Sequence, residues 1–242
     1  MDSKLMRFLD RSEAGRLLAE RLAERPLPSP RVVAGIPRGG VLVASRVAER
    51  LGAPLAVAYA RKVTPYPGSE LAIGAVDEDG ELLVATGTGP ALGLTAEKLE
   101  EAKNRALAEI HRQRDRNPPA SLRELAQGRA VVLVDDGLAT GLTMQAAVGF
   151  ARRHGASHVT VATPCASVSA ARRFRRTANR FVSLVVDPDF VAVGIYYLRF
   201  PTVSDVEVAA AIAAALERRP AAGVETGKPG AGTASSVPTG AM

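Results

Sequence analysis

The run from Val131 to Thr143 constrains the fold more than any other part of the 242-residue chain. It reads Val-Val-Leu-Val-Asp-Asp-Gly-Leu-Ala-Thr-Gly-Leu-Thr: four apolar residues, two acids and a turn that holds two glycines. We predict a short buried strand, a loop, and then a helix from about Leu142 to His154. A strand that feeds a helix through a short loop is the unit of an open α/β sheet. Such sheets bind ligands beyond the carboxyl ends of their strands.

The rest of the chain repeats this alternation and predicts an α/β fold, with a mostly parallel sheet flanked by helices. The predicted strands are 31–36, 55–60, 130–135, 158–163 and 180–186, and the predicted helices are 12–23, 39–51, 95–116, 142–154, 167–177 and 204–218. Thr95 is the expected N-cap of its helix, and Ser204 with Glu207 has the spacing of a capping box. We expect one domain over residues 1–218. The Ala/Gly/Pro/Thr/Ser-rich tail, residues 219–242, is expected to be disordered.

Two adjacent carboxylates followed by a helix N-terminus predict a site for a sugar phosphate. A helix N-terminus presents free backbone N–H groups and a positive dipole end, which suit a phosphate. Asp135 and Asp136 would repel a phosphate, but they can accept hydrogen bonds from a neighbouring diol or help to hold Mg²⁺. The simpler interpretation is a buried strand with an acidic turn, which many doubly wound proteins contain.

This run resembles the ribose-phosphate binding motif of the type I phosphoribosyltransferases, in which a hydrophobic strand precedes Asp-Asp and a Thr/Gly loop. The resemblance implies that Asp135 and Asp136 bind the ribose hydroxyls of phosphoribosyl pyrophosphate (PRPP) and take part in holding Mg²⁺. It also implies that the loop binds the 5′-phosphate through Gly137, Ala139, Thr140, Gly141, Leu142 and Thr143. The segment Gly137-Leu138-Ala139 departs from the branched-apolar and Thr/Ser residues that are commoner at these positions.

A second segment, Gly35-Ile36-Pro37-Arg38-Gly39-Gly40, carries the same resemblance and follows the first predicted strand of the sheet. Gly39 and Gly40 would let the backbone approach a ligand closely, and Arg38 supplies a planar, permanently charged fork for phosphate. The segment resembles the pyrophosphate loop of the family, which implies a cis peptide at Pro37–Arg38. Taken alone, Pro-Arg-Gly-Gly is also typical of ordinary turns.

Arg61 and Lys62 end the predicted second strand, where a mobile loop is expected. Orotate-type phosphoribosyltransferases carry Arg-Lys at this place, in contact with pyrophosphate, although paired cations also serve solubility. The stretch 63–90 departs from that subgroup because it holds no basic residue; its acids are Glu70, Asp77, Glu78, Asp79 and Glu81. We expect a loop of that charge to repel bare pyrophosphate, although it could recruit Mg²⁺. Residues 65–76 instead resemble a subgroup of predicted phosphoribosyltransferases with no settled substrate.

In this family a small hood outside the core sheet recognises the base, and residues of about 1–25 and 187–203 are the candidates here. Phe190, Tyr196 and Tyr197 could stack on a planar base, or they could cover the sheet edge or form a dimer contact. Cys165 has no His–acid partner in its sequence context and is expected to be a small apolar filler. The resemblance also leads us to expect a homodimer.

Net charge is +6 and the pI is about 9.9, with much of the excess in Arg172, Arg173, Arg175 and Arg176. A nucleic-acid patch and solvated faces that steer an anionic metabolite are the two interpretations, and the absence of a nucleic-acid-binding motif favours the second. A single cysteine excludes an intrachain disulfide and favours the cytoplasm. No apolar stretch reaches transmembrane length, and the N-terminus lacks a signal-peptide core.

Together these features predict a transferase that binds PRPP with Mg²⁺ and transfers the phosphoribosyl group to a nitrogenous base, releasing pyrophosphate. Arg38, Arg61 and Lys62 would neutralise the leaving group. One alternative is a non-catalytic regulator that binds PRPP or a nucleotide. Another is a hydrolase or phosphorylase of a phosphoribosyl compound, in which Glu70 is the first candidate to orient a water molecule.

Overall fold

The computed structural model describes residues 7–69, 71–85, 93 and 95–218; Glu70 and the tail 219–242 lie outside the described residues. The helices of the described part are α1 (Arg11–Ala23), α2 (Gly39–Leu51), α3 (Ala96–Arg116), α4 (Leu122–Leu125), α5 (Leu142–Arg153), α6 (Val168–Thr177) and α7 (Asp205–Glu217), with a 3₁₀ helix at Val193–Tyr196. The strands are β1 (Arg31–Gly35), β2 (Leu55–Val57), β3 (Ala60–Val63), β4 (Gly74–Asp77), β5 (Leu82–Val84), β6 (Ala130–Val134), β7 (His158–Ser167) and β8 (Arg180–Asp187). None of these helices combines the length and the apolar character that a membrane crossing needs.

Five parallel strands form the main sheet in the order β2-β1-β6-β7-β8, which confirms the predicted fold class. Every residue of β6 is buried, because helices cover both faces of the sheet. Val132 and Val134 pack with α1 and α2 on one face. Val131 and Leu133 pack with α5 and α6 on the other. The continuous apolar run of β6 is therefore what a strand at the centre of such a sheet requires.

A second, antiparallel sheet of β3, β4 and β5 corrects the strand predicted at 55–60. Only Leu55–Val57 belongs to the main sheet, and the chain enters β3 at Ala60. The outer edge of β2 is covered by another segment, since the Val57 N–H donates to the Ala120 carbonyl at 2.7 Å. Arg61 and Lys62 thus lie on β3, in the small sheet, and not at the end of a main-sheet strand.

Two other departures from the predicted elements have local causes. Strand β7 runs to Ser167, past Pro164, because it continues to pair with β8 as far as Asp187 and is bridged at Ala166 by Leu138 of the loop after β6. Helix α4 has four residues, too few to produce a helical periodicity in the sequence. The predicted caps are confirmed: Thr95 caps α3, and Ser204 with Glu207 forms a capping box at α7.

The start of the described chain and the segment 187–203 pair with each other. The Phe8 N–H donates to the Tyr196 carbonyl at 2.7 Å, and the Leu198 N–H donates to the Phe8 carbonyl at 2.8 Å. We call these two paired segments, residues 7–10 and 187–203, the hood. Because α1 follows directly from the first of them, the hood is fixed to the helical layer that covers the sheet.

Candidate ribose-phosphate site

The loops that follow β1 and β6 lie against each other at the carboxyl edge of the sheet. The two strands pair in register up to Gly35 and Val134, so both loops start side by side. A Cβ atom on Gly40 would lie 2.7 Å from the Val134 carbonyl oxygen, and one on Gly39 would overlap the Asp136 carboxylate. The glycine pair therefore permits a backbone contact that no other residue type would allow. The peptide between Pro37 and Arg38 is cis, as the resemblance implied.

Asp136 pairs with Arg11, a residue that the sequence reasoning missed. The Nε atom of Arg11 lies 2.8 Å from Oδ2 of Asp136, and Nη1 of Arg11 donates to the Pro201 carbonyl at 2.8 Å. The guanidinium carbon also lies 3.8 Å from the ring centroid of Phe200. The available signal was position: Arg11 is the first residue of α1, where a cation opposes the helix dipole.

Asp135 occupies a different electrostatic environment from Asp136. Its Oδ1 atom accepts a hydrogen bond from the Asp136 backbone N–H at 2.9 Å. Burial raises the pKa of Asp135 well above its ordinary value, and the neighbouring Asp136 carboxylate raises it further. Asp135 therefore takes up a proton more readily than an exposed aspartate does. Both side chains retain oxygens that can accept a hydrogen bond from a hydroxyl.

In the loop between β6 and α5, side chains from another segment bond two backbone carbonyls, while the N-terminus of α5 has no side-chain cap. Ser167 Oγ donates to the Ala139 carbonyl and Arg173 Nη1 to the Thr140 carbonyl, both at 2.7 Å. Gly141 has a φ of +72°, and no side chain caps the helix that starts at Leu142. Within the described part of the chain, the first-turn N–H groups, including that of Thr143, thus have no side-chain cap. This arrangement suits an anion such as a phosphate.

The unusual glycine at 137 is explained by the hood. A Cβ atom on Gly137 would lie 2.5 Å from the Val193 side chain and 3.0 Å from the Cys165 sulfur. Val193 thus fills, from the hood, the space that a branched side chain at 137 would need. Cys165 is fully buried, and burial raises its pKa, so it packs as the small apolar filler that we expected.

Two of the three aromatic residues named as candidates are unavailable to stack on a base. Tyr196 and Tyr197 are buried; Tyr197 Oη donates to the Asp136 carbonyl at 2.7 Å, and Tyr196 Oη donates to Asp187 at 2.6 Å. Phe190 stacks on Tyr196 with ring centroids 5.1 Å apart and is partly exposed. Tyr197 therefore attaches the hood to the loop that carries Asp135 and Asp136, whereas Tyr196 bonds within the hood segment itself.

The predicted cations occupy two places. Arg38 is half-exposed, and its Nη1 lies 3.8 Å from Oδ1 of Asp205 at the start of α7. It is adjacent in the chain to Gly39, which contacts Asp136. Arg61 and Lys62 are exposed on β3, opposite Val76 and Ala75. Arg38 therefore lies next in the chain to the glycine beside Asp136, although its side chain pairs with Asp205, while Arg61 and Lys62 belong to a separate sheet.

The acids expected in a lid are instead engaged in ion pairs at the far end of α5. Asp77, which is 1% exposed, lies 2.5 Å from Arg153, and Asp79 lies 3.0 Å from His154. Glu78 accepts a hydrogen bond from Ser121 at 2.6 Å. A helix of this length spans about 18 Å, so these residues are remote from the phosphate loop at its other end. The expectation that these three acids would repel pyrophosphate or recruit Mg²⁺ over the site is therefore wrong.

The carboxylate oxygens of Asp135 and Asp136 suit a magnesium ion that binds together with a phosphate-bearing molecule. Among the described residues no three His, Cys, Asp or Glu side chains are grouped to hold a metal. One oxygen of Asp136 binds Arg11, one oxygen of Asp135 accepts from a backbone N–H, and the two carboxyl groups also lie close enough to interact with each other. Mg²⁺ commonly takes one or two carboxylates together with substrate phosphates and water. Asp135 and Asp136 can supply that share.

A five-stranded parallel sheet with a small antiparallel sheet, an Asp-Asp strand end and an uncapped helix behind it defines a type I phosphoribosyltransferase fold. Residues 10–198 match the family described as "Phosphoribosyl transferase domain", and this protein belongs to that family.

Two Mycobacterium tuberculosis proteins, from strains CDC 1551 and H37Rv, are named as proposed phosphoribosyl transferases, and the chain is 40% identical to each over 203 residues. The match covers 84% of this chain but 46% of theirs, so the chain spans less than half the length of these relatives. The crystal structure of TT1426 from Thermus thermophilus is 44% identical and has a TM-score of 0.68. That match covers 86% of this chain and 98% of the Thermus chain.

Proposed function

We propose that this protein binds PRPP together with Mg²⁺ and transfers its phosphoribosyl group to a nitrogenous base, with release of pyrophosphate. The observation that carries the proposal is the convergence of three segments at one edge of the sheet. Asp135 and Asp136 end β6, Gly39 and Gly40 pack against them, and the uncapped N-terminus of α5 follows. A diol, a pyrophosphate and a 5′-phosphate each find a complementary group there.

The roles of the residues follow from their positions. The helix N-terminus and the loop around Thr140 bind the 5′-phosphate, and Asp135 and Asp136 accept hydrogen bonds from the ribose hydroxyls. Arg38 neutralises charge on the departing pyrophosphate, and Arg61 and Lys62 take part if the small sheet approaches the site. Mg²⁺, when bound, supplies further neutralisation of the leaving group. Rate acceleration comes from positioning and electrostatics, because no side chain needs to form a covalent bond.

The acceptor is a nitrogenous base of the purine, pyrimidine or related N-heterocyclic class, held by the hood side of the site. Phe190 remains the aromatic candidate to stack on it, since its ring is partly exposed. A homodimer and a cytoplasmic location complete the proposal. An acidic loop over the site would favour the regulator, but among the described residues Asp77, Glu78 and Asp79 are paired away from the site with Arg153, Ser121 and His154.

Calorimetric titration with PRPP, with and without Mg²⁺, followed by a pyrophosphate-release assay over a panel of bases, tests the proposal. Magnesium-dependent binding and base-selective release would support it. Binding without release for any base would indicate the regulator. Release of ribose 5-phosphate without a base would indicate the hydrolase. No binding at all would remove the ribose assignment of Asp135 and Asp136.

Arg38→Ala tests the pyrophosphate assignment within the same assays. We expect affinity for PRPP and pyrophosphate to fall about tenfold or more, because a charge-assisted hydrogen bond contributes roughly 1.5–3 kcal/mol. Affinity for ribose 5-phosphate should change much less. Arg46→Ala is the matched control, since Arg46 is a half-exposed arginine on the same helix, bonded to Ser12 and Glu49. Equal losses for all three ligands would contradict the assignment.

A further inference from the structure

Arg11 is a buried cation with an unusual set of contacts. It is 8% exposed, although it lies on the first turn of α1. Its guanidinium contacts the Asp136 carboxylate, the Pro201 carbonyl and the face of the Phe200 ring. These three groups come from the loop after β6 and from the hood. One side chain therefore joins the sugar-binding acid to the segment that covers the site.

Burying a guanidinium at the positive end of a helix is unfavourable unless a strong partner compensates it. The Pro201 carbonyl and the Phe200 ring are neutral, so the compensating charge is that of Asp136. If Arg11 only filled space, an apolar side chain of similar length would do so equally well. The ion pair thus indicates a role for Arg11 at Asp136 beyond holding the hood in place.

We propose that Arg11 is a positioning residue through which the site selects for the one ribose hydroxyl that Asp136 accepts; this inference rests on the proposed function. Arg11 binds one carboxylate oxygen of Asp136 at 2.8 Å, and the same oxygen occupies the space that a Cβ on Gly39 would fill. The second oxygen is then fixed in direction and accepts one ribose hydroxyl.

The test measures dissociation constants for ribose 5-phosphate, its 2-deoxy and 3-deoxy analogues, and inorganic pyrophosphate. The variants are Arg11→Met, which keeps the length of the side chain, and Arg11→Lys, which keeps the charge without the planar fork. Arg16→Met is the matched control, because Arg16 lies on the same helix but is exposed and pairs with Glu20. Far-ultraviolet circular dichroism and melting temperature confirm that each variant folds.

We expect the wild type to prefer ribose 5-phosphate over one deoxy analogue by about tenfold or more, as a hydrogen bond to a charged acceptor predicts. Arg11→Met should reduce that preference to about twofold while pyrophosphate affinity stays within about twofold. Arg11→Lys should fall between the two, and Arg16→Met should match the wild type. A loss of packing alone would lower all affinities together and leave the preference unchanged.

An unchanged preference in folded Arg11→Met would overturn the inference, as would equal losses for sugar phosphate and pyrophosphate. If Arg11→Met does not fold, Arg11→Lys decides: full wild-type preference there would show that the fork has no role in selection. Wild-type protein that binds neither ribose 5-phosphate nor PRPP would refute the proposed function itself. A wild type that binds both without discriminating the hydroxyls would refute only the role of Arg11.

Discussion

The contact between Gly40 and the end of β6 provides a steric test of how the site is assembled. In Gly40→Ala the added Cβ would lie 2.7 Å from the Val134 carbonyl oxygen and 2.9 Å from Cα of Asp135. Ordinary van der Waals contact begins at 3.4 Å, so the loop and the strand would have to part by about half an ångström or more. Both neighbouring atoms belong to the backbone and cannot swing aside.

The loss of folding free energy in Gly40→Ala can be estimated from the groups that would have to move. The Val134 carbonyl also accepts a hydrogen bond from the Ile36 N–H at 2.9 Å, and parting the segments weakens that bond. A lost hydrogen bond costs about 0.5–1.5 kcal/mol and an overpacked core about 1–3 kcal/mol. Because alanine has a higher helix propensity than glycine, the substitution also stabilises the protein by up to about 1 kcal/mol. We expect a net loss of about 1–3 kcal/mol, or a melting temperature lowered by about 3–10 °C.

Thermal unfolding followed by circular dichroism, together with PRPP titration, measures both consequences. Gly149→Ala is the matched control, because its Cβ would meet only the tip of Arg153, at 3.4 Å. That variant should gain about 0.5–1 kcal/mol from helix propensity. A Gly40→Ala variant that melts at or above the wild-type temperature and binds PRPP with wild-type affinity would show that the loop after β1 does not contact the end of β6.

Two further variants test electrostatic contacts. Arg153→Met leaves the buried Asp77 without its cation and should cost about 1–3 kcal/mol at pH 7, reduced because Arg153 is half-exposed. Burial already raises the pKa of Asp77 and Arg153 opposes that rise, so the deficit should fade as pH falls toward about 4; a deficit that is the same at pH 4 would contradict this. Arg173→Met should weaken ribose 5-phosphate binding about three- to tenfold, because Arg173 holds the Thr140 carbonyl and adds charge beside the phosphate loop. The exposed neighbour Arg172, changed to Met, should leave that affinity unchanged, and equal effects would exclude a local role for Arg173.

The sequence predicted correctly those elements whose structure depends on neighbouring residues. The buried run at β6, the cap at Thr95 and the capping box at Ser204 depend on residues within a few positions of one another. The order of the two loops at the carboxyl edge also follows, because parallel strands must end on the same side. Together with the family resemblance, these features predict that Asp135, Asp136 and the Gly39–Gly40 pair lie at one edge of the sheet.

The remaining features depend on contacts between distant parts of the chain. Arg11 and Asp136 are 125 positions apart, and Asp77 and Arg153 are 76 positions apart. No local pattern reveals that an acidic stretch is neutralised by the end of α5. Similarly, the apolar segment 55–60 has the composition of one strand, and only the covered edge of β2 explains why the chain leaves the main sheet after Val57.

Asp136 is the point where the core and both hood segments meet. Its carboxylate pairs with Arg11, which follows the first hood segment, and its carbonyl accepts hydrogen bonds from Tyr197 at 2.7 Å and from Cys165 at 3.7 Å. A base bound under the hood would act on Tyr197 and the segment around Phe200, and through them on both ends of this residue. If the proposed function holds, base recognition and sugar geometry are therefore linked through Asp136. A substitution in the hood should accordingly change ribose selectivity as well as the choice of acceptor.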